Sequence, residues 1–220
     1  MKKRLFAIGD IHGCFDALKN LIENGIKLKK NDSLILLGDY IDRGKQSKDV
    51  VDFIIELRSN GFNIVTLMGN HEVLLLDAIE NEENLEIWIQ NRGKETLLSF
   101  GIQSLKELDQ KYITFFKELA IGYVFDNFLF VHAGFNDNAE DPFTDYYNML
   151  WSRNTFYTHP LLKDKTIIHG HTPITVTQCQ QLVTTRNQTI NIDTGCVYSD
   201  IEGYGRLTAL ELYSYNLFSV

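Results

Sequence analysis

The stretch "LILLGDYIDRG", residues 34–44, runs four apolar residues into a loop that carries Asp39, Asp42 and Arg43. An unbroken apolar run of this length reads as a strand buried on both faces, the pattern of a parallel sheet. Gly38 ends the run. Beyond the loop, Val50, Phe53, Ile54 and Leu57 fall at i, i+3, i+4 and i+7, a helical stripe that Gly61 stops. The same grammar stands on both sides. Upstream, Leu5-Phe6-Ala7-Ile8 is strand-like, Gly9-Asp10-Ile11-His12-Gly13 is a turn, and Phe15, Leu18, Leu21 and Ile22 are spaced for a helix. Downstream, Ile64-Val65-Thr66-Leu67 leads into Gly69-Asn70-His71-Glu72 and a further helical run from Val73.

Three strand–loop–helix units in succession imply parallel strands joined by right-handed crossovers. In such a sheet the loops gather at the carboxyl ends of the strands, where open α/β sheets bind ligands. Asp10, His12, Asp39, Asp42, Arg43, Asn70 and His71 are therefore expected to converge. Residues of about 80–120 read as a helical insertion, with Trp88, Leu97, Leu98, Phe115 and Phe116 as packing residues. From Tyr123 the runs shorten: Tyr123-Val124-Phe125, 128–131, 166–168, 182–184 and 190–192 read as strands of a second, largely antiparallel sheet. Asp126-Asn127 is a hairpin-turn signal between the first two. This second sheet carries two more polar loops, His132-Ala133-Gly134 and His169-Gly170-His171-Thr172-Pro173, which packing of the two sheets would set beside the first three.

Composition bounds the function. The 220 residues carry 21 Lys plus Arg against 29 Asp plus Glu, a net charge of −8, which argues against a nucleic-acid-binding face. The length fits one domain spanning 1–220. The basic start "MKKR" is followed by too short an apolar run for a signal-peptide core, and no stretch is long enough to span a membrane. Cys14, Cys179 and Cys196 form neither an even set nor a CxxC pair, so a reducing cytoplasm is expected, with the thiols as packing groups.

The pooled loop residues Asp10, His12, Asp39, Asn70, His132 and His171 offer carboxylate, carboxamide and imidazole donors. That mixture suits Mn²⁺, Fe²⁺, Zn²⁺, Co²⁺ or Ni²⁺ better than Ca²⁺ or Mg²⁺. Six donors are many for one catalytic ion and suit two that share a carboxylate, for which Asp39 is the candidate. Two such ions beside Arg43 make a positive pocket in an acidic protein, and its natural guest is a phosphate dianion. Arg offers phosphate a planar, bidentate fork. His71 can protonate a leaving oxygen, with Asp42 setting its tautomer.

In order, GDIHG (9–13), GDYIDRG (38–44), GNHE (69–72), HAG (132–134), WSR (151–153) and GHTP (170–173) resemble the signature of the calcineurin-like metallophosphoesterases. The chain is most similar to the PPP-type serine/threonine phosphatases of the bacterial and phage lambda-type branch. The resemblance implies an α/β fold of two packed mixed β-sheets flanked by helices. It implies that Asp10, His12 and Asp39 hold one metal, most simply Mn²⁺, and that Asp39, Asn70, His132 and His171 hold the other. Arg43 and Arg153 are then the phosphate clamps, and Asp42 with His71 the proton-donating pair. The implied reaction is hydrolysis of a phosphorylated protein or small phosphate ester by direct attack of water activated between the two ions.

Other chemistries find little support. No cysteine is followed at the sixth position by Arg, Asp10 opens no DxD motif, and no GxxxxGK[ST] run is present. A symmetrical dinucleoside polyphosphate hydrolase, acting on a nucleotide substrate such as diadenosine tetraphosphate, shares the implied metal centre. His12 stands where those enzymes typically carry Gln, and Glu72 where they carry Asp, which places that reading second. An inactive scaffold ranks third, since every implied ligand is kept. His159 reads as a surface or loop residue with no assigned role, His169 as a structural or supporting residue and not a ligand, Arg92 has no assigned role, and residues 136–148 read as a solvated acidic loop, with a lid selecting basic phosphopeptides as the sharper reading.

Overall fold

Strand β1 (Leu5–Ile8) is flanked by β2 (Ser33–Leu36), and β2 by β3 (Asn63–Thr66), all parallel and in register from Leu5↔Ser33 to Leu36↔Thr66. The computed structural model describes residues 3–220. The reading of Met1 and Lys2 as the start of no signal segment therefore lies outside the described residues. Helix α1 (Phe15–Asn20) follows β1, α2 (Ser47–Ser59) follows β2 and α3 (Asn70–Glu80) follows β3, as the apolar spacing predicts. The chain from α3 to β4 is helical in pieces, α4 (Leu85–Trp88), α5 (Lys94–Phe100) and α6 (Gln110–Lys117), broken at Arg92, whose φ is 71°.

Strands β4 (Gly122–Phe125) and β5 (Phe128–Val131) form the expected hairpin around Asp126-Asn127. After β5 the expectation of an antiparallel sheet fails. Helix α7 (Tyr146–Trp151) lies between β5 and β6 (Thr166–His169), and α8 (Val176–Thr185) between β6 and β7 (Thr189–Asn191), so both pairs are parallel. The physical reason is the length of the connections, which carry crossovers and not tight turns. Residues 182–184, expected as a strand, lie in α8. The Thr175 hydroxyl accepts the Gln178 N–H and the Gln178 side-chain oxygen accepts the Thr175 N–H, a reciprocal cap that overrides the strand preference of Val183 and Thr184. Two strands escaped the sequence reading: β8 (Thr208–Glu211), antiparallel to β1, and β9 (Asn216–Ser219), antiparallel to β8, which extend the first sheet.

The sheets thus run β3-β2-β1-β8-β9 and β4-β5-β6-β7, both mixed in direction and flanked by helices. Alternation along β1 and β2 sorts the core. Phe6, Ile8, Leu34 and Leu36 pack with apolar residues of α1, α2 and α3, whereas Leu5, Ala7, Ile35 and Leu37 share a cluster with Phe130, Ile168 and Ile190 of the second sheet. Each buried Leu, Ile or Phe contributes about 1.5–3 kcal/mol. Face-to-face packing sets the carboxyl ends of β1, β2, β3, β5, β6 and β7 around one crevice. Among the described residues no helix is long and apolar enough to cross a membrane.

Candidate metal centre

Gly38 and Gly69 let the loops after β2 and β3 touch. A Cβ on Gly69 would stand 2.3 Å from the Asp39 nitrogen, and one on Gly38, at φ 102°, would stand 2.6 Å from the Gly69 nitrogen. Five site residues have left-handed backbone: His12 (φ 46°), Asp39 (51°), Asp42 (67°), Arg43 (66°) and His171 (72°). Such conformations cost of order 1–3 kcal/mol each in non-glycine residues and gather where the surrounding structure over-determines them.

Glu72 does much of that work. Buried at the start of α3, its carboxylate accepts the N–H groups of Asp39 (2.9 Å), Tyr40 (2.8 Å) and Gly69 (3.0 Å), tying both loops to one helix turn. Burial and the nearby Asp39 push its carboxyl up to about 8, while the amide donors pull the other way. Leaving these amides unpartnered would cost about 1–3 kcal/mol apiece.

The side chains predicted to converge do so. Asp10, His12, Asp39, Asn70 and His132 are all buried. One oxygen each from Asp10 and Asp39 and a nitrogen of His132 lie within 4.8 Å of one another, and so do donor atoms of His12, Asp39 and His71, so that Asp39 belongs to both groups. His12 Nδ1 donates to the Ile41 carbonyl (2.9 Å) and His132 Nδ1 to that of Leu37 (2.9 Å), a pairing that leaves each Nε2 as an acceptor. His132 Nε2 then meets Asn70 Oδ1 at 2.9 Å and His171 Nδ1 at 3.2 Å, and Asn70 Oδ1 meets His171 Nδ1 at 2.9 Å. With the His171 proton on Nε2, a buried atom that has no partner among the described residues, three lone pairs converge, an arrangement that a cation satisfies. His12 Nε2 accepts from Arg43 Nη1 at 2.7 Å, so a cation at His12 competes with the guanidinium for that lone pair.

Electrostatics agree with a cation. Burial, Asp193 and Asp39 hold the Asp10 carboxyl well above its usual range. Burial alone would raise Asp39 too, but the facing imidazoles of His132, His71 and His12 outweigh it and hold that carboxyl low. Burial pushes His171 down to about 3 and lowers His12 and His132 as well, which favours the neutral, ligating imidazole. The donor set therefore fits divalent ions of the borderline class.

Beside these donors, His71 Nδ1 donates to Asp42 Oδ2 at 2.7 Å, and its Nε2 is buried without a partner among the described residues. The Asp42 carboxylate is held by Trp88 Nε1 (2.9 Å) and Thr96 Oγ1 (2.7 Å), both from the helical stretch. Gly93 makes room for this: a Cβ there would meet the Trp88 ring at 2.3 Å. Arg153 is exposed just past α7, near enough to His171 for its charge to depress that imidazole. His169 lies buried outside it, its ring toward the Gly170 carbonyl (3.2 Å).

The sequence reading missed Glu72, Trp88, Thr96 and Asp193 as contributors. Asp193 is buried, accepts from the Gly195 N–H at 2.9 Å, and has no partner for Oδ2 among the described residues. Burial and nearby Asp39 push it up to about 7. A weaker signal was present: Asp193 directly follows the short run Ile190-Asn191-Ile192, much as Asp10 and Asp39 follow their apolar runs one glycine later.

Comparison with known proteins sets this geometry in context. Serine/threonine-protein phosphatase 2 of Salmonella typhimurium is 28% identical over 209 residues, 88% of either chain. A symmetrical bis(5'-nucleosyl)-tetraphosphatase of Xylella fastidiosa is 39% identical, but over 80 residues, 36% of this chain and 26% of that protein. The solved structure of a metallophosphoesterase from Sphaerobacter thermophilus superposes with a TM-score of 0.60 at 16% identity, covering 98% of this chain and 87% of that one. The loops that build the donor cluster all lie within residues 3–200, which match the model of the calcineurin-like phosphoesterases, and it is to this family that the chain belongs.

Proposed function

We propose that the chain is a metal-dependent phosphomonoesterase of the serine/threonine protein phosphatase type, with Asp10, His12, Asp39, Asn70, His132 and His171 holding two divalent ions, most simply Mn²⁺. The observation that carries the choice of substrate is the extent of likeness: the relative named as a serine/threonine phosphatase aligns along 88% of both chains. The alternative, symmetrical hydrolysis of dinucleoside tetraphosphates, is favoured by the higher local identity to the tetraphosphatases, 39% over 80 residues. The cysteine usage supports a cytoplasmic setting, and the net charge of −8 supports a substrate other than nucleic acid.

Ions held in the cluster supply Lewis acidity toward phosphoryl oxygens and toward water. The chain's own groups do the rest. Arg43 and Arg153 bind the phosphoryl oxygens, and Arg43 is aimed by the strained turn it shares with Asp42. The Asp42 carboxylate stabilises the His71 imidazolium and fixes its ring, which leaves the Nε2 proton free to pass to the departing oxygen.

Side-by-side turnover by Mn²⁺-loaded protein tests the reading. A phosphoserine peptide is expected to be hydrolysed with a higher kcat/KM than diadenosine tetraphosphate, and the reverse order would establish the alternative. Chelation should abolish both activities, and elemental analysis of active protein should find about two ions per chain. A single ion with full activity would refute the two-metal assignment.

Arg43→Ala and Arg153→Ala should each lower kcat/KM and weaken inhibition by inorganic phosphate while leaving the melting temperature and metal content near wild type. Loss of one charged contact costs about 2–4 kcal/mol of transition-state binding, on the order of 30- to 1000-fold. Lys should rescue only in part, lacking the planar fork. Unchanged phosphate inhibition in either variant would remove that arginine from the phosphate site.

A further inference from the structure

Arg92 takes no part in the donor cluster, yet its backbone is tied to it. It lies in the break between α4 and α5 with φ 71° and ψ 27°, a left-handed conformation that glycine adopts more easily than arginine. Its carbonyl accepts the Arg43 N–H at 3.4 Å, so the two arginines are joined backbone to backbone. Gly93, the next residue, packs on the Trp88 ring and fixes the inner side of the break. The Arg92 side chain is left outside, 72% exposed.

Both arginines line one open cleft of about 450 Å³. The break contributes Gln90, Asn91 and Arg92, α5 contributes Glu95, and the loop after β7 contributes Val197 and Tyr198. The two amides are already committed: Gln90 Nε2 donates to Glu86 at 3.3 Å and Asn91 Nδ2 to the Ile87 carbonyl at 2.8 Å. The Arg92 guanidinium is held more loosely. It stands 3.7 Å from Glu95, and an ion pair so exposed is worth little, so the guanidinium can turn to another anion. Two guanidinium groups against one carboxylate make this cleft positive in a chain of net charge −8.

A cleft that starts at a phosphate clamp receives whatever is attached beyond the leaving oxygen. We propose that it is a specificity subsite for the peptide flanking a phosphoserine, and that Arg92 selects an acidic side chain there. This occupant rests on the phosphatase reading of the centre and on Arg43 as its clamp. Glu95 disfavours a chain of phosphates, because each further phosphate would carry negative charge past that carboxylate, whereas a peptide separates its charges by neutral links. The left-handed arginine fits the same role, since strained backbone gathers where a side chain is held for a ligand.

The test compares a phosphoserine peptide that has Glu on both sides of the phosphoserine with the same peptide carrying Gln there, using the full chain loaded with Mn²⁺. The Glu peptide should have the higher kcat/KM by about fivefold, through KM, and high salt should erase the difference. Fluorescence anisotropy with labelled peptides that bear the non-hydrolysable phosphonate analogue of phosphoserine should give the same order in Kd. Arg92→Gly, which suits the backbone, should melt at or above the wild-type temperature and lose the preference. Arg92→Glu should favour a Lys-flanked peptide over the Glu-flanked one, a reversal that misfolding cannot produce. Equal kcat/KM and Kd for the Glu and Gln peptides, or a preference that survives Arg92→Gly, would overturn the subsite and leave the phosphatase reading standing. A chain that hydrolyses diadenosine tetraphosphate but neither binds nor hydrolyses any of these peptides would refute the phosphatase reading and the peptide occupant with it.

Discussion

Asp39→Asn is expected to abolish turnover and metal binding together. The Asp39 carboxylate belongs to both donor groups, with Oδ2 at 3.4 Å from His12 Nε2 and 3.6 Å from His132 Nε2, and Oδ1 accepts the His71 N–H at 3.1 Å. A carboxamide has the same shape and can keep the bond to the His71 amide, so the loops after β2 and β3 should stay in place. What it cannot supply is the negative charge that two cations share. Metal ions contribute several kcal/mol of transition-state stabilisation, and about 5 kcal/mol corresponds to on the order of 10⁴-fold in rate. Elemental analysis beside circular dichroism decides the matter: a folded variant with less than half the wild-type metal is the expected result. A variant that keeps both ions and wild-type kcat would show that Asp39 is not the shared ligand.

The loops of this centre were legible because each strand before them is a short, unbroken apolar run with period-3.6 spacing on its far side. Residues 5–25, 34–61 and 64–80 repeat that pattern, and the crossover rule then assigns the loops to one end of one sheet. Strand direction in the second sheet was not legible in the same way. Phe128–Val131 and Thr166–His169 look alike whether parallel or antiparallel, and only the helices inserted between them set the direction. The C-terminal strands were hidden for a different reason: β8 is paired to β1, the far end of the chain, and β9 keeps a partly exposed edge pattern with no strong apolar run. Thr96 and Trp88 show where local reading ends. Their bonds to Asp42 join positions 54 and 46 residues apart, and nothing in the spacing of either residue points at the DRG loop. The groups that aim a donor are placed by tertiary packing, whereas the donors themselves punctuate the strands.

His71→Asn should retain both ions and lower kcat by roughly 10²–10⁴, the span of general acid–base catalysis. The ring is fully buried, its Nδ1 is committed to Asp42 at 2.7 Å, and its Nε2 has no partner among the described residues. A buried nitrogen without a partner is either a ligand that lacks its cation or a proton donor that lacks its acceptor. The bond to Asp42 argues for the donor, because a carboxylate behind the ring stabilises the charged imidazolium. His71 also lies within ligand reach of His12 and Asp39, however, so the two roles must be separated by measurement. Leaving-group dependence separates them. An aryl phosphate departs as a stable phenolate and needs little protonation, whereas a serine alkoxide needs its proton in the transition state. The variant should therefore lose much more kcat on a phosphoserine peptide than on para-nitrophenyl phosphate, with KM for either nearly unchanged. Thr96→Val, which removes one of the bonds that hold the Asp42 carboxylate, should reproduce the same leaving-group bias in weaker form. Equal losses on both esters accompanied by loss of an ion would make His71 a metal ligand and leave the proton donor to be sought elsewhere in the crevice.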